Sequence, residues 1–233
     1  MPTIDPVASS GSHPRVLVSD FDGTLAHPDF YQLVKNQLVP AEAANFWEEY
    51  RSGQITHFDA LRKYFLAAAG GEAALLAIVN SISMPADLAG LLTQLSDHGW
   101  CVIIASAGCQ WYIDRLLERS QVSLPVFANP GRIENDRLHM SRPVPSPYTS
   151  HENGTDKSAV VRALLDAGKT VAYCGDGFTD FSAAVLVADE LRFARADLAA
   201  QCQDNNVNYH PFEAWHEVVE GLIAWTASHN RLP

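Results

Sequence analysis

The sequence predicts a doubly wound parallel α/β sheet with a small helical domain inserted after its first strand. Three observations predict it. From Pro85 onward, apolar runs of strand type alternate with segments of helical periodicity. Between the first apolar run, Val16–Val18, and the next, Trp100–Ala105, the stretch Ala26–Met84 contains no strand pattern. Finally, Asp20, Ser106 and Asp176 each follow the carboxyl end of an apolar run. Ligands of open α/β sheets bind at that edge.

Taken in order, Met1–His13 is rich in Ser, Gly and Pro and is expected to be a mobile tail outside the fold. The first strand runs into Asp20-Phe-Asp-Gly-Thr-Leu. Helical spacing then appears over Asp29–Val39, Ala41–Arg51, His57–Ala69 and Glu72–Ser83, punctuated by Pro40, Gly53, Gly70-Gly71 and Pro85. Residues 26–84 thus read as a helical cap, and 14–25 with 85–233 as the α/β core. Pro85–His98 is a helix, with Pro85 suited to its first turn and Gly99 to its end. The strand Cys101–Ala105 leads into the loop Ser106-Ala107-Gly108 and the helix Cys109–Arg119. Val126–Ala128 is a short strand, and Arg132–Glu134 with Leu138–Met140 flank an Asn135-Asp136 hairpin turn. Arg142–Tyr148 is loop; Lys157–Ala167 is a helix with Asp156 as N-cap. The strand Thr170–Cys174 enters Gly175-Asp-Gly-Phe-Thr-Asp180, and Phe178–Val187 is helical. Strand Leu191–Ala194 and helices Asp197–Gln203 and Glu213–Trp225 complete the chain.

The 233 residues carry 16 basic and 27 acidic side chains, a net charge of −11. That acidity disfavours nucleic acid and anionic membranes as partners. No apolar run approaches the length of a membrane span. The four cysteines are scattered without Cys-x-x-Cys, which fits a reducing cytoplasm. No histidine pair has helical metal-ligand spacing. Nothing in the chain marks an oligomeric state.

Asp20 and Asp22 are two residues apart at a strand end, so they project to one side while Phe21 turns into the core. Two carboxylates this close repel unless a cation or a chemical role offsets them. Gly23 permits a turn that would aim Thr24 and free amides at an anion. The amides of Ser106, Ala107 and Gly108 before a helix also suit phosphate oxygens. Lys157 opens a helix, where the dipole disfavours a cation, and facing an anion would offset that cost. Asp176 and Asp180, with Asp20 across the edge, make an oxygen-only cage suited to Mg2+. These are the parts for phosphoryl transfer through an aspartyl phosphate. Asp20 would attack phosphorus, and Asp22 would protonate the leaving alcohol and then activate water.

The four motifs, Asp20-Phe-Asp-Gly-Thr, Ser106, Lys157 and Gly175-Asp176…Asp180, resemble those of the haloacid dehalogenase superfamily, in the same order and across Arg15–Trp225. The resemblance implies a Rossmann-like core, Asp20 as nucleophile and Asp22 as general acid/base. It implies a phosphate site at Ser106 and Lys157, and Mg2+ held by Asp20, Asp176 and the Asp22 carbonyl, with Asp180 acting directly or through water. The helical block sits where that superfamily places a small cap. The chain is similar to the phosphoserine-phosphatase-like group. Phe193-Ala-Arg195, Cys202 and Tyr209-His-Pro-Phe212 resemble the methionine-salvage phosphatases within it. The substrate implied is a small phosphomonoester, either the methylthiopentenyl phosphate of methionine salvage or phosphoserine or a related ester.

Four other functions use related parts. A dehalogenase needs no acid where Asp22 stands, and a signalling module needs no cap. A dead binding protein would have lost one of Asp20, Asp22, Lys157 or Asp176, and all are present. A phosphomutase would retain its phosphoenzyme rather than pass it to water. Trp47, Tyr50, Arg51, His57 and Arg62 are the cap residues that could meet substrate.

Overall fold

A computed structural model describes residues 5–41 and 45–229. The chain begins with one helical turn, α1 (Pro6–Ser9), capped by Asp5. Pro6 and Ser10 are buried, and Lys169 Nζ donates to the carbonyls of Gly11 and His13 at 3.0 and 2.8 Å. Residues 5–13 therefore dock on the core, a correction to the mobile tail expected there; Met1–Ile4 lie outside the described residues. Lysine donors satisfy carbonyls that composition alone would leave to water.

Strand β1 (Arg15–Ser19) is followed by helices α2 (Phe30–Gln37), α3 (Phe46–Arg51), α4 (His57–Ala67) and α5 (Gly71–Ser81). Asp29 and Thr56 cap α2 and α4 through the amides of Gln32 and Asp59. The helix expected from Ala41 begins at Phe46; Glu42–Ala44 lie outside the described residues. Next come α6 (Leu88–Asp97), capped by Asp87, and β2 (Trp100–Cys109). Then follow α7 (Gln110–Arg119), β3 (Val126–Asn129) and the hairpin β4 (Gly131–Glu134) and β5 (Arg137–Met140). Two short strands that the sequence does not announce, β6 (Thr149–Ser150) and β7 (Gly154–Thr155), precede α8 (Lys157–Asp166). Strand β8 (Thr170–Gly175) leads to a 3-10 turn, Phe178–Asp180, and the single turn α9 (Phe181–Ala184), in place of one longer helix. The chain closes with β9 (Arg192–Ala194), α10 (Ala196–Asp204), β10 (His210–Pro211) and α11 (Trp215–His229). No single helix among the described residues is long and apolar enough to cross a membrane.

The main sheet has the order β10-β9-β8-β1-β2-β3, all parallel. The chain winds outward from β1 to β3, then returns to β8 and winds the other way. The order reverses between β1 and β8, where Ser19 stands level with Cys174. The crevice at such a reversal is the binding position of this architecture.

Side-chain alternation along the strands makes two cores. Leu17, Val102, Ile104, Ala172 and Cys174 face α6, α7, α11 and the insert. Val16, Val18, Ile103, Ala105 and Tyr173 face α8, α9 and α10. Phe30, Phe58 and Phe65 of the insert belong to the same apolar cluster as Trp100 and Leu17. Backbone bonds between His27 and Ser83, at 2.9 and 2.6 Å, close the base of the insert. The Phe58 amide donates to the Glu152 carbonyl at 2.9 Å, and Arg137 donates to the Ala68 carbonyl. The insert is thus packed onto the sheet and the hairpin.

Candidate active site

Asp20 directly follows β1, with its amide donating to the Cys174 carbonyl at 2.9 Å. The residue is 5% exposed. Lys157, the first residue of α8, reaches across the edge; Nζ lies 2.6 Å from Asp20 Oδ1 and 2.6 Å from Asp180 Oδ1. The helix start is held by the Asp156 cap, whose carboxylate accepts from the Ala159 amide at 3.0 Å. Burial penalises the Lys157 ammonium, but the charges of Asp180 and Asp20 outweigh that penalty and raise its pKa.

Asp180 is fully buried, and its carboxylate accepts four bonds from the protein. Lys157 and the Tyr173 hydroxyl donate to Oδ1, each at 2.6 Å. The amides of Asp176 and Gly177 donate to Oδ2 at 3.1 and 2.8 Å. Asp180 therefore braces both the lysine and the turn that presents Asp176. The Thr24 hydroxyl, expected to face an anion, donates instead to Asp176 Oδ1 at 3.2 Å. Gly23 adopts φ +74°, and a Cβ there would stand 2.0 Å from Asp176 Oδ2. Only glycine lets the two loops meet this closely.

Oxygens of Asp20, Asp176 and Asp180 lie within 4.8 Å of one another. Burial and the charge of Asp180 raise the pKa of both Asp20 and Asp176, the latter to about 7. Three crowded carboxylates face the single ammonium of Lys157. A divalent cation would complete the charge balance, and an all-oxygen donor set suits a hard metal ion. The residues present therefore fit a metal.

Asp22 stands apart from that cage. Phe30, the first residue of α2, donates its amide to Oδ1 at 3.2 Å, and the buried Tyr112 hydroxyl donates to Oδ2. Tyr112 also stacks on Phe30, with ring centroids 4.0 Å apart. Burial, then the charge of Asp29 and that of Asp20, raise the Asp22 pKa well above the usual carboxylate range. Asp22 is thus kept in an environment that favours its protonated form.

Ser106, Ala107 and Gly108 form a bulge within β2 rather than a loop beyond it. The register against β3 shifts between Ala105 and Cys109. Ser106 Oγ accepts from the Gly108 amide at 2.9 Å, which leaves its proton free to be donated outward. Ala107 is buried, and its carbonyl accepts from Asn129 Nδ2 at 2.7 Å. A Cβ on Gly108 would stand 2.0 Å from the Tyr112 hydroxyl, so the bulge and the Tyr112–Asp22 bond depend on each other.

A family model for haloacid dehalogenase-like hydrolases matches residues 17–184. The chain belongs to the haloacid dehalogenase-like hydrolase family. It is 24% identical over 222 residues to the 2-hydroxy-3-keto-5-methylthiopentenyl-1-phosphate phosphatase of Bacillus velezensis, covering 89% of each chain. Its identity to the enzyme of that name from Bacillus thuringiensis is 22% over 202 residues, covering 85% of this chain and 91% of the relative. Among solved structures it is similar to a probable phosphoserine phosphatase from Vibrio cholerae in unliganded form. The TM-score is 0.67 at 20% identity, covering 94% of this chain and 67% of that one. A phosphoserine phosphatase with a phospho-aspartyl intermediate analogue gives a TM-score of 0.62 at 15% identity, covering 88% and 97%. These likenesses establish the fold of this hydrolase as the one the strand order describes.

Sequence reasoning missed Tyr112, Tyr173 and Asn129. Each sits at an apolar position of a helix or strand, and no local pattern separates a core tyrosine from one that donates to a carboxylate.

Proposed function

We propose that this hydrolase is a magnesium-dependent phosphatase that cleaves a small phosphomonoester through an aspartyl phosphate. The observation that carries the reading is Lys157, an ammonium 4% exposed and bonded to Asp20 at the sheet reversal. A phosphate can approach a carboxylate nucleophile only where positive charge offsets their repulsion. Asp20 and Asp176, with the Asp22 carbonyl, would hold Mg2+, and Asp180 would brace them or bind through water. The ion would add positive charge beside the phosphate oxygens.

Asp20 Oδ forms a bond to phosphorus as the ester P–O bond breaks. Asp22, protonated at this stage, delivers its proton to the departing oxygen. Water then attacks phosphorus and gives a proton to Asp22, and the bond from phosphorus to Asp20 breaks to release inorganic phosphate. The Ser106 hydroxyl and Lys157 hold the phosphate throughout, and residues 26–84 act as the cap that shields it from bulk water. The relatives support methylthiopentenyl phosphate as substrate. The free cysteines are in keeping with a reducing cytoplasm.

With Mg2+, kcat/KM for 2-hydroxy-3-keto-5-methylthiopentenyl-1-phosphate should exceed that for phosphoserine and for a phosphopeptide by about tenfold or more, or ~1.4 kcal/mol. A tenfold preference for the phosphopeptide would overturn the small-molecule reading. Equal, weak turnover of the small esters would remove the methionine-salvage substrate. Full activity after exhaustive chelation would remove the metal.

A further inference from the structure

Helix α7 starts directly after the Ser106 bulge, and its third residue is Tyr112. Helical spacing puts Tyr112 on the buried face with Ile113 and Leu116. Its ring stacks on Phe30, with centroids 4.0 Å apart, and meets Phe21 at 6.4 Å. Phe21 stands between Asp20 and Asp22, and Phe30 opens α2. The ring is therefore core, and a phenylalanine would pack there as well. The hydroxyl is an addition to that core, and burying a hydroxyl is costly unless it is bonded.

That hydroxyl donates to Asp22 Oδ2. A phenol keeps its proton at neutral pH, so towards a carboxyl oxygen it serves as donor. The Phe30 amide donates to the other oxygen, Oδ1, at 3.2 Å. Each oxygen of Asp22 thus has its own donor, one from α7 and one from α2, and the two donors belong to residues whose rings stack. Donors on separate oxygens fix the plane of the carboxyl group as well as its place. The direction in which it is held follows from Gly108. A Cβ there would lie 2.0 Å from the Tyr112 hydroxyl, 2.9 Å from Asp22 Oδ2 and 3.1 Å from Ser106 Oγ. The three oxygens surround one glycine, so Asp22 Oδ2 is turned towards the serine of the phosphate site.

We infer that Tyr112 is a positioning residue for the acid step: its hydroxyl, with the Phe30 amide, holds the Asp22 carboxyl beside Ser106, where it can reach the departing oxygen. The inference rests on the phosphatase reading and adds a residue to it. Tyr112 exchanges no proton of its own. The Asp22 proton passes to the ester oxygen as the P–O bond breaks, and the phenol proton stays where it is. A misaligned acid slows the reaction according to how much help the leaving group needs, most for an alkoxide and least for a nitrophenolate.

The test follows single turnovers of glycerol 1-phosphate and of p-nitrophenyl phosphate by the Mg2+-loaded full-length protein. Tyr112→Phe removes the hydroxyl and keeps the ring between Phe21 and Phe30, so the fold should survive. It should slow phosphoryl transfer from glycerol 1-phosphate at least about fivefold and leave transfer from p-nitrophenyl phosphate within about twofold of wild type. In an Asp22→Asn background the same substitution should change nothing further, because a residue that acts through Asp22 has no acid left to position. A merely structural role would slow both esters alike and would still be felt in that background. Equal slowing of the two esters, no slowing of either, or additive effects in the double variant overturn the positioning role alone. Transfer from neither ester in wild type strikes the phosphatase reading itself.

Discussion

At the carboxyl edge of the sheet, Asp20, Asp180 and Lys157 are at most 5% exposed and are held mainly by one another's charge. In the insert, the buried groups include the aromatics Phe30, Phe58, Tyr64 and Phe65, and charges keep to the rim, as in the Lys63–Glu49 pair and the pair of Asp59 with Arg142. The first region concentrates like charges at a cost in stability; the second removes aromatic surface from water, which is favourable. Burial in the two regions therefore serves opposite ends. Changes at the edge should be felt first in activity and changes in the insert first in stability.

The largest effect expected is at Asp20, the proposed nucleophile. Asp20→Asn should lower phosphatase kcat/KM by at least about 10³-fold while far-UV circular dichroism stays unchanged. Near-normal turnover by the folded variant would break the comparison at its catalytic side. The insert should respond in the opposite way. Phe65 is fully buried, its ring 5.7 Å from that of Phe30, so Phe65→Ala should cost about 3–5 kcal/mol in urea unfolding. A loss below about 1 kcal/mol would mean that the insert does not carry the stability assigned to it.

A smaller and subtler effect sharpens the contrast. Asp176 has a pKa raised to about 7 in the folded protein, first by burial and then by Asp180, against an ordinary value of 3.8. The folded state therefore holds this proton more tightly than the unfolded chain. Ionising Asp176 costs stability progressively as pH rises from about 4 to 7, and the full cost persists above that range. In the metal-free protein, Asp176→Asn should raise Tm by about 2 °C or more at pH 8 and leave it unchanged near pH 4. Added Mg2+ should stabilise wild type more at pH 8 than at pH 5. An Asp176→Asn protein less stable than wild type at pH 8 without metal would show that the edge is not electrostatically strained.

The edge was also far more legible than the insert. The edge carboxylates and Lys157 stood out in the sequence because Asp20 and Asp176 directly follow strands and Lys157 opens a helix, ends that have local signatures, whereas Ser106 was expected in a loop and lies inside β2. The Asp156 cap followed from the same logic. The insert's helices were readable as helices, but their docking was not. Phe58 looks the same in sequence whether it packs within a separate cap or, as here, joins the apolar cluster of the sheet and lies under the Arg142 guanidinium. Residues 5–13 escaped for a related reason. Their order comes from Lys169, whose donors lie more than a hundred residues away.

The sequence by itself determined the parallel sheet and which carboxylates share one edge. Those follow from hydrophobic period and from chain direction, which are properties of adjacent residues. Only the tertiary structure decided what each carboxylate touches. Tyr112 meets Asp22 across 90 positions, Lys157 meets Asp20 across 137, and Thr24 turns to Asp176 across 152. A hydrogen bond exists only within a few tenths of an ångström, and packing of distant elements sets that distance. The same packing buries His57 Nδ1, Asn129 Oδ1 and Thr155 Oγ1 without a hydrogen-bond partner in the protein, which no stretch of sequence displays.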